Sequence, residues 1–281
     1  MDTLIQISGS ILLALVPVFI WGHIFLKKDP QQRNVTIITF IIGALAVFPI
    51  LIYKFLWQFF PWINAFAFAD RYSGDLIGFS SMITLPLSVV ITFMFVGIIE
   101  ELMKMFAVQT VDDGEIKDID DAIEFFVIVA LGFSFTENIL YFYNIWLAQG
   151  PNDLLLPFLF RSSFSTFAHL LFSGVLGYYY GIAYFAKPIL QQEIEKNRHH
   201  WTIALHKILS LRKETLFQQQ KLTEGLIISV GLHAIFNIFL EMGLTFMIIP
   251  FLVTGYISLN YLFSKKENHK KYGKLFAKKT A

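Results

Sequence analysis

The chain has no cysteine among its 281 residues, and only 15% of the residues are charged. Without cysteine, a disulfide framework and a thiol nucleophile are both excluded. A water-soluble domain is nearer a quarter charged. The low charge, together with a 56% share of hydrophobic residues and 31 phenylalanines, therefore indicates a polytopic membrane protein. We also find no internal sequence repeat of the kind that many transporters carry.

Seven segments have the length and apolar character that a helix needs to cross a bilayer, about 20 residues. We therefore predict an all-α fold, a polytopic membrane helical bundle of about seven transmembrane helices. Lysine and arginine are concentrated in alternate loops, which places the N-terminus outside and the C-terminus in the cytoplasm. The spans are expected at residues 4–26, 35–57, 83–108, 122–147, 155–185, 225–241 and 244–263.

The third span carries two adjacent acids, Glu100 and Glu101, followed one turn later by Lys104. A charged side chain at membrane depth costs a few kcal/mol. Lys104 lies four and three residues from the two acids, so it can reach either of them along one side of the helix. Because one lysine cannot neutralise two carboxylates, the sequence predicts a further partner from another helix.

The next three spans each place an ionisable side chain near the middle of the membrane: Glu137, His169 and His233. Asn237 follows His233 by four residues and so lies on the same helix face. Such groups are rarely exposed to lipid, so we expect all of them to point inward and to meet in one polar cavity. Taken singly, each could instead be a packing residue that hydrogen-bonds to a neighbouring helix.

Two chemistries are open to this set of side chains. A carboxylate can act as general base on a water molecule while histidine and asparagine donors stabilise the oxyanion. Alternatively, zinc can be held by ligands drawn from Glu100, Glu101, His169 and His233, because two histidines and a glutamate form a known catalytic set. The sequence leaves the cofactor undecided between none and zinc.

The ordered motifs Glu100-Glu101-x-x-Lys104, Phe133-x-x-x-Glu137 and His233-x-x-x-Asn237 resemble those of the PrsW family of intramembrane proteases. The resemblance covers residues 96–239. The wider superfamily includes the CAAX prenyl endopeptidases and bacteriocin self-immunity proteins, which favour Glu-Glu-x-x-x-Arg and a histidine in the second motif. The lysine and Glu137 of this chain both point to PrsW instead.

This resemblance implies a peptidase of the bacterial or archaeal cell membrane that cuts a membrane-anchored protein, in the best-studied relatives an anti-sigma factor. It implies that Glu100 and Glu101 are essential, one of them as general base, and that the site is completed by Glu137, His169, His233 and Asn237. Lys104 would support the site.

The expected partners are the substrate and the lipid bilayer, with no nucleic acid. The alternatives are a non-enzymatic scaffold or immunity protein of the same fold and a proton-coupled transporter.

On this basis we divide the chain into three parts. Residues 1–82 form two N-terminal spans with an interfacial loop. Residues 83–264 form the catalytic membrane core, which includes a cytoplasmic amphipathic segment at residues 187–224. Residues 265–281 form a basic cytoplasmic tail with seven lysines.

Overall fold

A computed structural model describes residues 2–28, 33–78, 84–112, 114–195 and 211–267. Almost all of these residues are helical. The α-helices are α1 (Asp2–Lys28), α2 (Arg33–Leu45), α3 (Phe48–Leu56), α4 (Ala65–Asp70), α5 (Leu87–Val111), α6 (Ile119–Gln149), α7 (Leu155–Phe160), α8 (Thr166–Tyr184), α9 (Ala186–Glu195), α10 (Lys213–Glu241) and α11 (Ile248–Glu267).

Six helical stretches in the described ranges are long and apolar enough to cross a membrane. They are Thr3–His23, Arg33–Leu56, Ile119–Gln149, Pro151–Tyr184, Lys213–Glu241 and Thr245–Ser264. Large apolar side chains on these stretches remain exposed, among them Leu12, Phe19 and Leu156 at 66–77%. In water this would be unfavourable, whereas in a bilayer it is the surface that meets the lipid. The predicted all-α membrane bundle is thereby confirmed.

The remaining predicted span, the third along the chain, is α5, which has 25 residues and measures roughly 37 Å at 1.5 Å per residue. Its three charged residues, Glu100, Glu101 and Lys104, are all buried. The helix is thus long enough to span, and its interior charges are covered by protein rather than by lipid.

Two spans are less regular than the sequence suggests. The second consists of α2 and α3, which are separated by a turn at Ala46 and Val47. Pro49 stands in the first turn of α3, where its missing N–H costs nothing. The fifth consists of α7 and α8, joined by a five-residue π-helical stretch at Arg161–Ser165. A π-helical turn widens the backbone locally and is often found at functional sites.

The sixth span begins earlier than expected, because α10 starts at Lys213 rather than Gly225. The beginning of α10 packs through fully buried Phe217 into the same apolar cluster as Ile189 and Leu190 of α9. Part of the predicted cytoplasmic segment is therefore fixed to the helical core. Residues 196–210, which include Trp201, Leu205, Ile208 and Leu209 of the predicted amphipathic stretch, lie outside the described residues, as do residues 268–281 of the tail.

The loop between the second and third spans was expected to be interfacial or re-entrant. It forms a short helix, α4, whose first turn is capped by the side chain of Asn64. A small antiparallel hairpin of β1 (Leu76–Gly78) and β2 (Thr84–Pro86) follows, which the sequence did not predict. The strand β2 leads directly into α5, so the hairpin sets where that helix begins.

Helix α8 lies at the centre of the bundle, and most of its residues are buried. It packs against α6 on one side and α10 on the other, while α5 packs against α10 and α2. Gly97 of α5 permits a close approach to α10, since a Cβ there would lie 3.1 Å from the carbonyl oxygen of Val230. This crossing brings the face of α5 that carries Glu101 against the face of α10 that carries His233.

Candidate active site

The predicted side chains of α5, α6, α8 and α10 meet in the interior, as the sequence suggested. Glu101 and Lys104 are fully buried, and Glu100, His169 and His233 are at most 8% exposed. The two histidine rings stand perpendicular with their centroids 5.2 Å apart. Their aromatic surroundings exclude most water, which strengthens every electrostatic interaction among these groups.

Glu101 uses both of its carboxylate oxygens. Oε1 accepts from the ammonium of Lys104 at 2.7 Å and lies 3.0 Å from Nδ1 of His233. Oε2 accepts from the hydroxyl of Ser229 at 2.9 Å. A carboxylate with three such partners is held firmly in one orientation.

Glu100, one residue earlier, is in the opposite situation. Its Oε2 is buried and accepts no hydrogen bond within the described part of the chain. Nε2 of His233 lies 3.6 Å from this oxygen. Lys104 was expected to be able to reach both acids, but its recorded carboxylate contact is with Glu101. The two adjacent glutamates therefore differ in how many hydrogen-bond partners their carboxylate oxygens have.

Lys104 links three helices. Besides Glu101, its Nζ lies 3.1 Å from Nδ1 of His169 on α8 and 4.8 Å from the centre of the Phe133 ring on α6. An ammonium group can only donate, so Nδ1 of His169 accepts and the ring proton sits on Nε2. That Nε2 lies 3.0 Å from Oε2 of Glu137. Lysine and glutamate thus hold the two nitrogens of His169 from opposite sides.

The same argument gives the other histidine the opposite tautomer. Nδ1 of His233 faces a carboxylate oxygen of Glu101, so it carries the proton and leaves a lone pair on Nε2. That nitrogen faces the uncommitted Oε2 of Glu100. Two electron-pair donors that face each other at this distance suit a water molecule or a metal ion between them.

Glu137 was expected to need a partner from another helix. Its Oε2 accepts from Nη2 of Arg161 at 3.1 Å, in addition to its contact with His169. Its side chain is 27% exposed, more than the other acids of the cluster. Glu137 therefore occupies the more open side of the site.

Asn237 lies one turn beyond His233 on α10 and is half-buried. Its side chain makes no hydrogen bond to any described residue, so the structure does not tie it to the cluster. Ser173, one turn beyond His169, is fully buried, and its hydroxyl likewise lacks a hydrogen-bond partner in the described ranges.

Two contributors were missed by the sequence reasoning. Arg161 and Ser229 are not among the predicted site residues. Ser229 stands four residues before His233, and Arg161 stands eight residues before His169. Extending each helix face one or two turns towards the N-terminus was the signal that could have found them.

A metal ion fits this arrangement. Glu100, His169 and His233 each offer one ligand atom, and these atoms lie within 4.8 Å of one another. Two histidines and one glutamate are a zinc-binding set that leaves a position for water. Metal-bound histidines usually donate a hydrogen bond from the ring nitrogen that does not bind the metal. The contact between Nδ1 of His233 and Glu101 is of this kind. Both ring nitrogens of His169 have polar neighbours, Lys104 and Glu137. One of these two contacts would have to break if His169 binds a metal ion.

The formal charges agree with such an ion. Glu100, Glu101 and Glu137 contribute three negative charges, and Lys104 and Arg161 contribute two positive charges. With neutral histidines, one negative charge remains. A divalent cation would therefore enter a site whose formal charge is negative.

The fold and the site together define a polytopic integral membrane protein with a buried acid–histidine centre. The chain belongs to the PrsW family, since the model of the PrsW family intramembrane metalloproteases matches residues 31–261. It is therefore a membrane peptidase by family, a multi-pass protein of the cell membrane, and the resemblance read from the motifs is confirmed.

Two relatives are similar along more than half of the chain. The protease PrsW of Shouchella clausii (strain KSM-K16) is 28% identical over 178 residues, which are 62% of this chain and 69% of that protein. The protease PrsW of Geobacillus kaustophilus (strain HTA426) is 25% identical over 169 residues, which are 59% of this chain and 62% of that protein. No solved structure matches the chain.

Proposed function

We propose that this protein hydrolyses a peptide bond of a membrane-anchored protein, of the anti-sigma-factor type, at a centre formed by Glu100, His169 and His233. One observation carries the proposal. Three helices each contribute a buried ligand atom, these atoms lie within 4.8 Å of one another, and Oε2 of Glu100 accepts no hydrogen bond from the described residues. A purely structural cluster would be expected to satisfy that oxygen.

The two adjacent glutamates would then have different tasks. Glu101 is held by Lys104, His233 and Ser229, so it acts as a positioning residue that orients His233. Glu100 has a free oxygen and is the glutamate that meets the attacking water. When it binds that water directly, it takes the proton as general base and returns it to the leaving amine.

The same three side chains would hold a divalent metal ion, and such an ion supplies a Lewis acid that lowers the pKa of its water and polarises the scissile carbonyl. The surrounding residues keep the donors in place in either case. Glu101 turns Nε2 of His233 towards Glu100, and Glu137 fixes the ring of His169.

The amide of Asn237, one turn from His233, makes no hydrogen bond to a described residue. An oxyanion-binding role requires a donor that is available when negative charge develops on the substrate carbonyl. We assign this role to Asn237.

The experiment is cleavage of a single-span reporter by the purified protein in lipid vesicles. Glu100→Gln and His233→Ala should each lower the rate by at least about a hundredfold. Glu241→Gln is the matched control, because Glu241 is an exposed glutamate at the end of α10. Cleavage that survives both site substitutions would exclude the proposed centre. Failure of the wild-type protein to cut any membrane-anchored reporter would favour the scaffold function.

A further inference from the structure

The outer side of the site contains a polar network that the proposed reaction does not use directly. Arg161 stands at the start of the π-helical stretch, with its side chain 15% exposed. Its Nη2 donates to Oε2 of Glu137 at 3.1 Å, and its Nε donates to Oδ1 of Asn138 at 2.7 Å. One guanidinium thus donates hydrogen bonds to two consecutive residues of α6, which fixes the rotation of that helix relative to α8.

The guanidinium is held in turn by the chain around it. It stacks on the ring of Tyr141 at 4.4 Å from the ring centre, which covers its outer face. Asn138 donates to the hydroxyl of Thr166 at 3.2 Å, and that hydroxyl donates to the carbonyl of Arg161 itself at 3.0 Å. The contacts therefore form a closed loop from the arginine side chain back to its own backbone.

The π-helical turn explains why the loop can close. In a regular α-helix the carbonyl of Arg161 would bond the N–H of residue 165, and the wider turn instead pairs it with the N–H of Thr166. Thr166 thereby places its hydroxyl between Arg161 and Asn138. The π-helical turn therefore holds the guanidinium in one orientation against α6.

We propose that Arg161 is a positioning residue, which sets the orientation of His169 through Glu137. Oε2 of Glu137 lies between Nη2 of Arg161 and Nε2 of His169, at 3.1 and 3.0 Å. Without Arg161, Glu137 loses its cationic partner on the more open side and is free to rotate away from the ring. Among the described residues, the remaining polar partner of the His169 ring would then be Lys104, at Nδ1. This inference rests on the proposed function insofar as it concerns catalysis.

Cleavage kinetics test the catalytic part. Arg161→Gln should lower kcat about 10- to 100-fold, the usual effect of losing a group that orients a reactive histidine, and change KM less than about twofold. Arg161→Lys keeps a charge but cannot grip both Glu137 and Asn138, so its kcat should be intermediate. The matched control is Arg71→Gln, because Arg71 also stands over an aromatic ring, that of Phe68, away from the site.

A second measurement does not depend on cleavage. The ring nitrogens of His169 can be followed by NMR of ¹⁵N-histidine-labelled protein, with the signal assigned by its loss in His169→Asn. With metal removed by a chelator, the wild-type protein and Arg71→Gln should show the Nε2–H tautomer, and Arg161→Gln and Arg161→Lys should show a mixture. If no reporter is cut by the wild type, the proposed function fails and this signal alone decides the role of Arg161.

An unchanged His169 signal in the folded Arg161 variants overturns the inference. That holds even where cleavage is reduced, because Arg161 would then act on the substrate and not through Glu137. Wild-type kcat in Arg161→Gln overturns it as well. Should Arg161→Gln not fold, Arg161→Lys carries both measurements.

Discussion

Nδ1 of His233 lies 3.0 Å from Oε1 of Glu101, while its Nε2 lies 3.6 Å from Oε2 of Glu100. One imidazole therefore stands between two adjacent glutamates that differ in every other contact. Oε2 of Glu100 accepts no hydrogen bond from the described residues, whereas both carboxylate oxygens of Glu101 have partners. This relationship makes the two acids distinguishable by experiment, although they are neighbours in the sequence.

The first prediction concerns stability. Glu100→Gln should leave the free energy of unfolding unchanged or raise it, because it removes a buried charge whose Oε2 accepts no hydrogen bond. Glu101→Gln should lower it by roughly 3–5 kcal/mol, since Lys104 would lose its buried partner. Denaturant unfolding in detergent measures both. Equal stabilities of the two variants would contradict the assigned difference.

The second prediction is a double-mutant cycle on Lys104 and Glu101. Lys104→Met alone leaves a buried carboxylate without its cation and should be strongly destabilising. Combined with Glu101→Gln, it should cost less than the sum of the single changes, with a coupling on the order of 0.5–3 kcal/mol. Cleavage should be reduced in the double variant, because a neutral glutamine holds Nδ1 of His233 less firmly than the carboxylate does. Strict additivity would show that the pair is not coupled.

The third prediction concerns Ser229, whose hydroxyl lies 2.9 Å from Glu101 and 3.0 Å from the carbonyl of Phe172. Ser229→Ala should destabilise the protein by about 1–3 kcal/mol, the cost of losing a hydrogen bond to a buried charge. Cleavage should fall roughly tenfold through looser positioning of Glu101. Ser258→Ala, on an exposed helix face with a similar bond to a backbone carbonyl, is the control and should be near neutral in both assays.

The fourth prediction concerns Asn237. Asn237→Ala should leave the unfolding free energy almost unchanged, because its amide makes no hydrogen bond to a described residue. If it stabilises the oxyanion, kcat should fall about 10²–10³-fold with little change in KM. The exposed Asn144 on α6 provides the control Asn144→Ala. Full activity of Asn237→Ala would remove this residue from the site.

The fifth prediction concerns metal. The wild-type protein should bind about one zinc ion per chain, and His233→Ala should lose it, as measured by elemental analysis after removal of loosely bound metal. The exposed His23 supplies the control His23→Ala. A chelator should abolish cleavage, and zinc should restore it. Full activity after exhaustive chelation would leave Glu100 as a general base that acts on water without a metal.

The sequence by itself determined the class of fold and predicted which ionisable residues face the interior. Runs of apolar residues specify membrane helices, because the backbone must satisfy its own hydrogen bonds in lipid. The cost of charge at that depth forces Glu100, Glu101, Glu137, His169 and His233 inward. Whether a segment forms a membrane helix, and which of its side chains must avoid lipid, depend on that segment alone. Both can therefore be inferred from the sequence without knowing which helices are neighbours.

The pairing of these groups was decided by the tertiary structure. Which side chains of α10 meet Glu100 and Glu101 depends on how α5 crosses α10, and the two helices approach closely at Gly97. That Arg161 reaches Glu137 depends on a π-helical turn and on the packing of α8 against α6. A contact between helices is set by their crossing angles and relative depths, which arise from packing along the whole bundle and not from the spacing within any one helix.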